Sequence, residues 1–314
     1  MTGIAIGADG WLRYIVETTE NTSPVTGSII PVAIVSESLK YNRAKTPSNS
    51  INSHGQVETL IRGTSSSNGA SVHELRYGEF DAFLESVFRK AWDTNVLIPG
   101  KVDKSFTFER GFPTMTTAAY ERFTGVKADG FNLSVPSDTR KVDLTFNWFG
   151  YQEITPVPTT DWDAANVGVT LGANPAAAKA PMYLSCASLK QDTVAIATVT
   201  GFSLDVSKGL NPIDVVDCDA PAAIVSGSLF NVTGSMDLVF TNMDTHNDYL
   251  QDTEFALEFT LTDGTSTYLF EMDTVEFSDS ANPTTGPNQI TRNHSFIAKY
   301  NAAATATLTL TRAA

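Results

Sequence analysis

Two hydrophobic patterns divide the chain, and the first occupies residues 77–92. Apolar side chains recur there every three or four positions, which is the stripe of an amphipathic helix. Acidic residues come early in this segment and basic residues late, an order that complements the helix dipole. The apolar positions are Tyr77, Phe80, Phe83, Leu84, Val87, Phe88, Ala91 and Trp92. The spacing predicts one strong helix.

The second pattern is alternation of apolar and polar residues with period two, in short stretches bounded by Gly, Asp or Asn. This alternation is typical of antiparallel strands with one buried face. The stretches are 29–41, 56–63, 70–77, 104–112, 130–137, 141–150, 194–207, 226–240, 254–264, 266–278, 294–300 and 304–312. The fold class predicted is all-β with a few short helices.

A weak internal repeat accompanies the strands. Several matches recur at a nearly constant offset in the numbering, as from Ser38 to Ser203, and their shared order favours a duplication. The matches are Ser38 and Leu39 with Ser203 and Leu204, Gly63 with Gly227, Gly69 with Gly234, Phe131 with Phe296, and Leu144 with Leu308. In the second copy, residues 242–253 stand at the place of the helix and are again the non-strand element there. A helix in both copies favours packing over chemistry.

The repeat predicts two tandem β-sandwich domains, each flanked by one helix. The first covers residues 1–151 and includes an N-terminal arm, and the second covers 182–314 and includes a C-terminal arm. Residues 152–181 between them are rich in Pro, Ala, Gly, Thr and Asn, which predicts a linker or surface excursion.

The charge of the chain is acidic and uneven. Of 314 residues, 42% are hydrophobic and 18% charged, so the chain can bury a core. Residues 1–150 hold 16 acidic and 15 basic residues, and the remainder holds 19 and 6, which together give the net charge of −14. An acidic surface repels phosphate, which disfavours tight nucleic-acid binding by a basic groove. A solvated surface is the commoner meaning of such a charge.

Sequence features that specify a compartment are few. No apolar run reaches the roughly 20 residues of a membrane span, and the first residues lack the pattern of a signal peptide. We therefore expect folding in a cytoplasm. Cys186 and Cys218 are the two cysteines. They are read as free thiols, although a disulfide between them stays open.

Catalytic and metal-binding motifs have no support in the sequence. The chain contains no phosphate-binding loop, nucleophile elbow or paired-cysteine motif. The histidines His54, His73, His246 and His294 are isolated from one another. The cluster Asp214, Asp217 and Asp219 lacks the glycine and terminal glutamate of a calcium loop. We expect no enzyme activity, no cofactor and no metal, and the β-rich pattern favours a structural, self-assembling role.

Several ordered stretches resemble a known family. They are the Glu-Thr-Thr sequence with a following Pro in residues 17–24, the YGEFD helix start at 77–81, FTFERGF at 106–112 and FTGVK at 123–127. Together they resemble the major tail tube protein of long-tailed, siphovirus-like bacteriophages. The detailed match covers the first half. Because the second half agrees through the internal repeat, the chain resembles the duplicated-domain type.

The resemblance implies a ring of three chains with pseudo-six-fold symmetry, with a ring of six chains as the alternative. Strands of neighbouring chains would join into a barrel around a lumen, and stacked rings would form the tube through which double-stranded DNA passes without tight binding. Tape measure, tail terminator and distal tail proteins are the implied partners. The protein would lie in the virion tail after assembly in the bacterial host cytoplasm.

The resemblance also assigns roles to residues. The helix would pack the sandwich through Phe80, Phe83, Leu84, Val87 and Phe88. The loop 41–56 and its counterpart from Gly209 would dock between rings through opposite charges, and the candidates are Lys40, Arg43, Lys45, Asn52, His54, Asp214, Asp217 and Asp219. Alternation places Glu37, Glu58, Asp205 and Glu258 as lumen-facing candidates.

Two alternatives remain open at the level of sequence. A capsid-decorating, baseplate or fibre adhesin protein would share the strands and the duplication. It would form closed oligomers rather than open-ended stacks. A carbohydrate-binding or hydrolase β-sandwich would need exposed aromatic residues beside a pair of carboxylates.

Overall fold

The structure of the chain is a computed structural model that describes residues 4–5, 7–51, 53–136, 138–185, 188–196, 198–281 and 289–314. The first-half strands are β1 Trp11–Val16, β2 Thr26–Val32, β3 Ser36–Glu37, β4 Lys40–Pro47, β5 Leu60–Glu74, β6 Val96–Leu97, β7 Phe106–Phe112, β8 Ala119–Pro136, β9 Asp143–Gly150, β10 Gln152–Glu153 and β11 Gly168–Leu171. Next come β12 Tyr183–Leu184, β13 Lys190–Gln191, β14 Val194–Ala195, β15 Val199–Ser207, β16 Leu210–Ile213, β17 Ala223–Ser226, β18 Asn231–Val239, β19 Phe255–Thr262, β20 Thr267–Ala281, β21 Thr291–Ala298 and β22 Thr309–Ala313. The helices are α1 Asp81–Phe88, α2 Trp162–Ala165 and α3 Asp244–Leu250. The prediction of an all-β protein with a few short helices is confirmed.

One antiparallel sheet runs through both halves of the chain, and we call it the central sheet. Its strands follow the order β4, β5, β9, β8, β15, β18, β21, β20, and each neighbouring pair is antiparallel. The pair β8–β15 joins the two halves. At the ends of this order, β3 and β4 form one edge and the C-terminal part of β20 forms the other.

Each half adds a second layer over the central sheet. The N-terminal part of β8 pairs with β7, which continues through β1 and β2 to β11. The N-terminal part of β20 pairs in the same way with β19, which continues to β12 and β13. The rings of Phe202 and Phe259, from β15 and β19, lie 4.8 Å apart across the core of the second half. The buried space between the layers is the hydrophobic core.

The same backbone irregularities occur in both halves. A register shift between Phe106 and Phe108 in the β7–β8 pair has a counterpart between Phe255 and Leu257 in the β19–β20 pair. A second shift follows Ala128 in the β8–β9 pair and has a counterpart after Phe277 in the β20–β21 pair. Both shifts recur at the same offset of 149 in the numbering, because Phe106 corresponds to Phe255 and Ala128 to Phe277.

Helix α1 is shorter than the hydrophobic stripe predicted. It spans Asp81–Phe88, because Gly78 before it and Arg89 after it have positive φ angles of 80° and 54°. Tyr77 and Trp92, at the ends of the stripe, lie outside the helix and pack against the core. A left-handed residue directly after a helix is a common way for it to end. The apolar stripe therefore includes residues that pack on the core from outside the helix as well as residues within it.

The α1 segment fills the core of the first half. Phe80, Phe83, Leu84, Val87 and Phe88 are all at most 3% exposed. The Phe83 ring alone contacts the rings of Tyr14, Phe106, Phe108, Phe146 and Trp148, from both layers. Helix α3, at the same place in the strand order, has no buried residue.

Residues 152–181 are folded onto the first half. Strand β10 pairs with β8, and β11 runs parallel to β2. Trp162 of α2 is 4% exposed and packs with Ile15, Ile29 and Val169. Its indole nitrogen donates to the carbonyl of Pro24 at 3.1 Å. This segment is therefore a packed excursion of the first layer.

Candidate assembly surfaces

The joint between β8 and β15 is an antiparallel strand pair with a complete register. Leu133 lies opposite Leu204, and Asn132 lies opposite Asp205. Both leucines are fully buried, so this face of the joint belongs to the core. Asn132 and Asp205 lie on the other face, where their side chains are 3.5 Å apart.

The β16–β17 hairpin of the second half lies on the first half. Ile224 is 1% exposed and Leu210 7% exposed, and both cluster with Tyr151 and with Phe149 of β9. The backbone N–H of Ile224 donates to the Tyr151 hydroxyl at 3.0 Å. The Lys127 ammonium donates to the carbonyl of Ile224 at 2.8 Å. The hairpin is therefore held by apolar burial, by two hydrogen bonds at Ile224, and by two bonds that Ser65 donates to the carbonyl of Asp219.

Two buried lysines lie beside the β8–β15 joint. Lys127 and Lys208 are each 1% exposed. Lys127 pairs with Glu20 at 2.7 Å, and Lys208 donates to the carbonyl of Ser86 at 2.8 Å. Burial lowers the pKa of Lys208 to about 8, and the nearby Asp103 opposes this shift. Sequence reasoning missed Lys208, although its alternation with Leu204 and Val206 places it on the buried face.

A second hairpin, formed by the ends of β4 and β5, extends from the first half. We call residues 43–62 the arm. Lys45 pairs with Arg62 and Pro47 with Leu60. Ile51, Val57, Leu60 and Ile61 are exposed by 102%, 62%, 55% and 58%. Four large apolar side chains exposed on one hairpin mark a surface for protein contact.

The face of the central sheet opposite the core is polar. Most of its side chains are small and uncharged, and they join neighbouring strands by hydrogen bonds such as Ser203 to Ser235 at 2.8 Å. Further bonds run from Asn42 to Asn68 and from Asn293 to Asp237, both at 2.8 Å. We call this the polar face. Its residues include Ser38, Lys40, Asn42, Ser66, Asn68, Asn132, Ser134, Thr145, Asn147, Ser203, Asp205, Ser207, Thr233, Ser235, Asp237, Asn293 and Ser295.

Comparison with known families decides what this architecture belongs to. A family model described as phage tail tube protein matches residues 7–310, nearly the whole chain. The chain belongs to the phage tail tube protein family. It is a structural protein of the phage tail, and assembly into a tube that DNA passes through is general to this family. No curated protein matched the chain.

Tail tube proteins are typically not enzymes, and the tail of the virion is where the family functions. Within the residues that the structure describes, no group of three or more His, Cys, Asp or Glu side chains could hold a metal ion. Over the same part of the chain, no helix has the length and apolar character needed to cross a membrane. Cys218 is an exposed free thiol, and Cys186 lies outside the described residues.

The predicted docking loop of this tail tube protein, residues 41–56, begins as a strand, because Lys40–Pro47 forms β4. Its counterpart from Gly209 forms the β16–β17 hairpin. The guanidinium of Arg43 pairs with Asp219 within the same chain. This pair of opposite charges is therefore already in contact before any docking. Asn52 lies outside the described residues.

The other docking candidates lie at exposed positions. Lys40 and Lys45 are exposed on β4, and Asp214 and Asp217 are exposed between β16 and β17. The imidazole of His54 lies 2.9 Å from Glu58 within the arm. The structure thus places the basic residues at the sheet edge and in the arm, and the acidic residues on the seated hairpin.

The four lumen-facing candidates do not share one face. Asp205 lies on the polar face of the central sheet. Glu37 is largely buried and pairs with Arg110, and Glu258 belongs to the second layer, where Lys190 lies 2.5 Å away. Glu58 lies in the arm. Alternation along single strands could not reveal that β19 belongs to a different layer from β15.

Two histidines buried in the core have lowered pKa values. The imidazole of His73 hydrogen-bonds to the Ala33 carbonyl and to the Ser71 hydroxyl, both at 2.7 Å, and burial lowers its pKa to about 4. Burial and the nearby Arg292 lower the pKa of His294 to about 4 as well. Both imidazoles are therefore neutral at pH 7, which fits a packing role.

Proposed function

We propose that three copies of this tail tube protein close into one ring with pseudo-six-fold symmetry, and that the rings stack into the tube. Each chain would supply two copies of one structural unit, so six units surround the lumen. The register shifts that recur at the offset of 149 carry this proposal. Bulges are specific features of a backbone, and two in the same order at the same offset favour duplication.

Two glycines that precede the helices in the sequence, Gly69 and Gly234, support the same duplication at an offset of 165. A side chain added at Gly69 would meet the carbonyl of Ser38, and one added at Gly234 would meet the carbonyl of Ser203. The same close approach of two strands therefore excludes a side chain in each half. The offset falls from 165 to 149 past the helix, so the second half is shorter than the first between these two sets of positions.

This shortening changes two matches that a single offset suggests. Phe131 lies on β8 and Phe296 on β21, but β21 takes the place of β9 in the pairing order. Leu144 lies on β9, whereas Leu308 immediately precedes β22. Neither pair is equivalent in the strand order, because the constant offset was carried past the deletion. Phe296 corresponds instead to Trp148, since Gly234 and Gly69 are their partners.

The polar face supplies the lumen wall in this proposal. Its short Ser, Thr and Asn side chains are joined to one another by hydrogen bonds. Asp205 and Asp237 add negative charge, and Lys40 at the sheet edge adds one positive charge. DNA binds proteins mainly where cations replace its counterions, so such a wall lets the duplex pass without tight binding.

Stacking of rings uses the exposed loops in this proposal. Lys45 on one ring would meet Asp214 and Asp217 on the next, since complementary charges fix the register of docking. Reversing the sign at Lys45 should stop stacking, and reversing the acidic pair as well should partly restore it. Normal tubes from the first reversal alone would contradict this contact.

The remaining parts of the proposal concern the setting of the tube. Assembly takes place in the cytoplasm of the bacterial host, around a tape measure protein, and tail terminator and distal tail proteins close the two ends. The chain carries no catalytic activity. The family match over residues 7–310 supports a place in the phage tail.

Electron microscopy of negatively stained protein at high concentration, combined with native mass measurement, tests the ring. The expected result is hollow stacks and a ring species of three times the 33.8 kDa chain mass. A ring of six chains would keep the tube and contradict the stoichiometry. Closed oligomers that do not stack would contradict the tube.

A further inference from the structure

We propose that the arm of one chain seats on the second half of the next chain, as the β16–β17 hairpin seats on the first half of its own chain. This inference rests on the proposed ring and names its joint. The seat would be formed by Ile297 and Tyr300, and the sheet would continue from β20 of one chain to β4 of the next. The partner is therefore a second copy of this chain.

The arm and the seated hairpin have the same construction. In the arm Pro47 lies opposite Leu60, and in the hairpin Pro212 lies opposite Ile224. These positions correspond at offsets of 165 and 164, as Gly63 corresponds to Gly227. Ile224 is 1% exposed, whereas Leu60 is 55% exposed. The arm thus carries the anchoring residue of the hairpin without the surface that buries it.

The second half carries the corresponding surface without its hairpin. Phe149 and Tyr151 cover Ile224. Because Gly69 pairs with Trp148 as Gly234 pairs with Phe296, the counterparts of Phe149 and Tyr151 in the second half are Ile297 and Lys299. Ile297 of β21 is 41% exposed, and Tyr300, two residues beyond the end of β21, is 64% exposed. Lys299 is paired with Glu254 and Glu276, so Ile297 and Tyr300 supply the exposed apolar surface that matches the leucine of the arm. Each surface is half of a contact that the chain makes once internally.

The edges of the central sheet fit the same joint. Within the chain, β8 pairs with β15. In the repeat, β20 is the counterpart of β8, and β4 is the counterpart of β15. Among the described residues, β4 pairs on one side only, with β5, and positions 279–281 of β20 pair on one side only, with β21. Unpaired edges invite strand addition by another chain. Joining them closes the ring without leaving a free edge.

The register of the joint follows from the internal pair. Asn132 lies opposite Asp205. At the offset of 149 Asn132 corresponds to Ala281, and at the offset of 165 Asp205 corresponds to Lys40. Ala281 should therefore lie opposite Lys40 of the neighbouring chain. Both Ala281 and Lys40 are exposed. The charges also agree, because the basic arm residue Arg62 would approach a half that carries most of the net negative charge.

Cysteine cross-linking tests the register directly. In a background with Cys186→Ser and Cys218→Ser, the double variant Lys40→Cys/Ala281→Cys should form disulfides between chains under mild oxidation. Denaturing gels should then show a ladder that ends at three chains. The matched control is Lys40→Cys/Asp273→Cys, since Asp273 is exposed on the same strand but far from the predicted partner. The variant Asn132→Cys/Asp205→Cys should close a disulfide within one chain.

A pair of arm variants tests the seat without relying on disulfides. Leu60→Asp should raise the concentration needed for assembly at least about tenfold, because the anchor would bring a charge into an apolar contact. Ile61→Asp is the matched control. Ile61 is 58% exposed, and its counterpart Val225 stays 39% exposed in the seated hairpin. It should leave assembly within about twofold, and the melting temperature of both monomers should match the parent.

Each outcome has one meaning. Cross-linked trimers with the predicted pair alone, and a selective effect of Leu60→Asp, would support the joint. Rings or tubes that form without the Lys40–Ala281 cross-link, or equal effects of the two arm variants, would overturn the joint and leave the proposed tube intact. A parent protein that forms neither rings nor tubes at any concentration would overturn both.

Discussion

The seated β16–β17 hairpin and the arm differ in surroundings rather than in construction. Both pair a proline with a branched aliphatic residue, but Ile224 is buried against Tyr151 and Leu60 faces solvent. The difference arises because Tyr151 and Phe149 of the same chain cover Ile224, whereas Leu60 stays 55% exposed among the described residues. Burial of a hairpin is thus decided by what the neighbouring unit offers. The contrast indicates which contacts wait for another copy.

The largest expected effect separates these two hairpins in the unassembled protein. Ile224→Ala should lower the free energy of unfolding by about 3 kcal/mol, because it empties a buried site. Leu60→Ala should change it by less than about 0.5 kcal/mol, as exposed positions do. Denaturant unfolding at low protein concentration measures both. Similar losses for the two variants would mean that the arm is already seated in the monomer.

A smaller effect compares the two glycines of the repeated units. Gly69→Ala and Gly234→Ala should each cost about 2 kcal/mol, because each added methyl meets a neighbouring carbonyl. Gly172→Ala is the control, since an added methyl there makes only ordinary contact. Thermal or denaturant unfolding gives the values. A large loss of unfolding free energy in one half and none in the other would contradict the equivalence of the two units.

The third predicted effect, close in size to that of the glycines, is the pH dependence of stability that the buried His73 causes. The folded-state pKa of His73 is about 4, below the 6.5 of the unfolded chain. The unfolded state therefore binds a proton first as the pH falls, and stability is lost below pH 6.5. Between pH 7 and pH 5, His73 should account for about 2 kcal/mol of lost unfolding free energy.

Replacement of the buried imidazole of His73 tests this pH effect. Replacing His73 with Asn, which keeps hydrogen-bonding capacity without titrating, should flatten the slope of stability against pH. An unchanged slope after the His73 replacement would show that the imidazole is not desolvated in the folded state.

The sequence predicts the parts of this fold that rest on local pattern. Period-two alternation gives the all-β class, and the stripe around Phe83 and Val87 gives α1. The stripe overstates the helix because Tyr77 and Trp92 pack on the same core from outside it. Gly78 and Arg89 end the helix through positive φ angles, and only the glycine is a signal readable in the sequence.

Long-range relations are the parts that the sequence does not supply. Residues 152–181 look like a linker in composition, but Trp162 anchors them to Ile15 and Ile29. The pairing of β8 with β15, which builds the central sheet, joins strands from opposite halves of the chain. The four lumen-facing candidates come from different parts of the fold for the same reason, since alternation does not say which layer a strand joins.

A reconstruction of the assembled tube by cryo-electron microscopy tests the central claim most directly. The predicted ring contains three chains, with β4 of each beside β20 of the next, Lys40 opposite Ala281, and Leu60 against Ile297 and Tyr300. A ring of six chains, or a joint in which β4 and β20 remain unpaired, would contradict it.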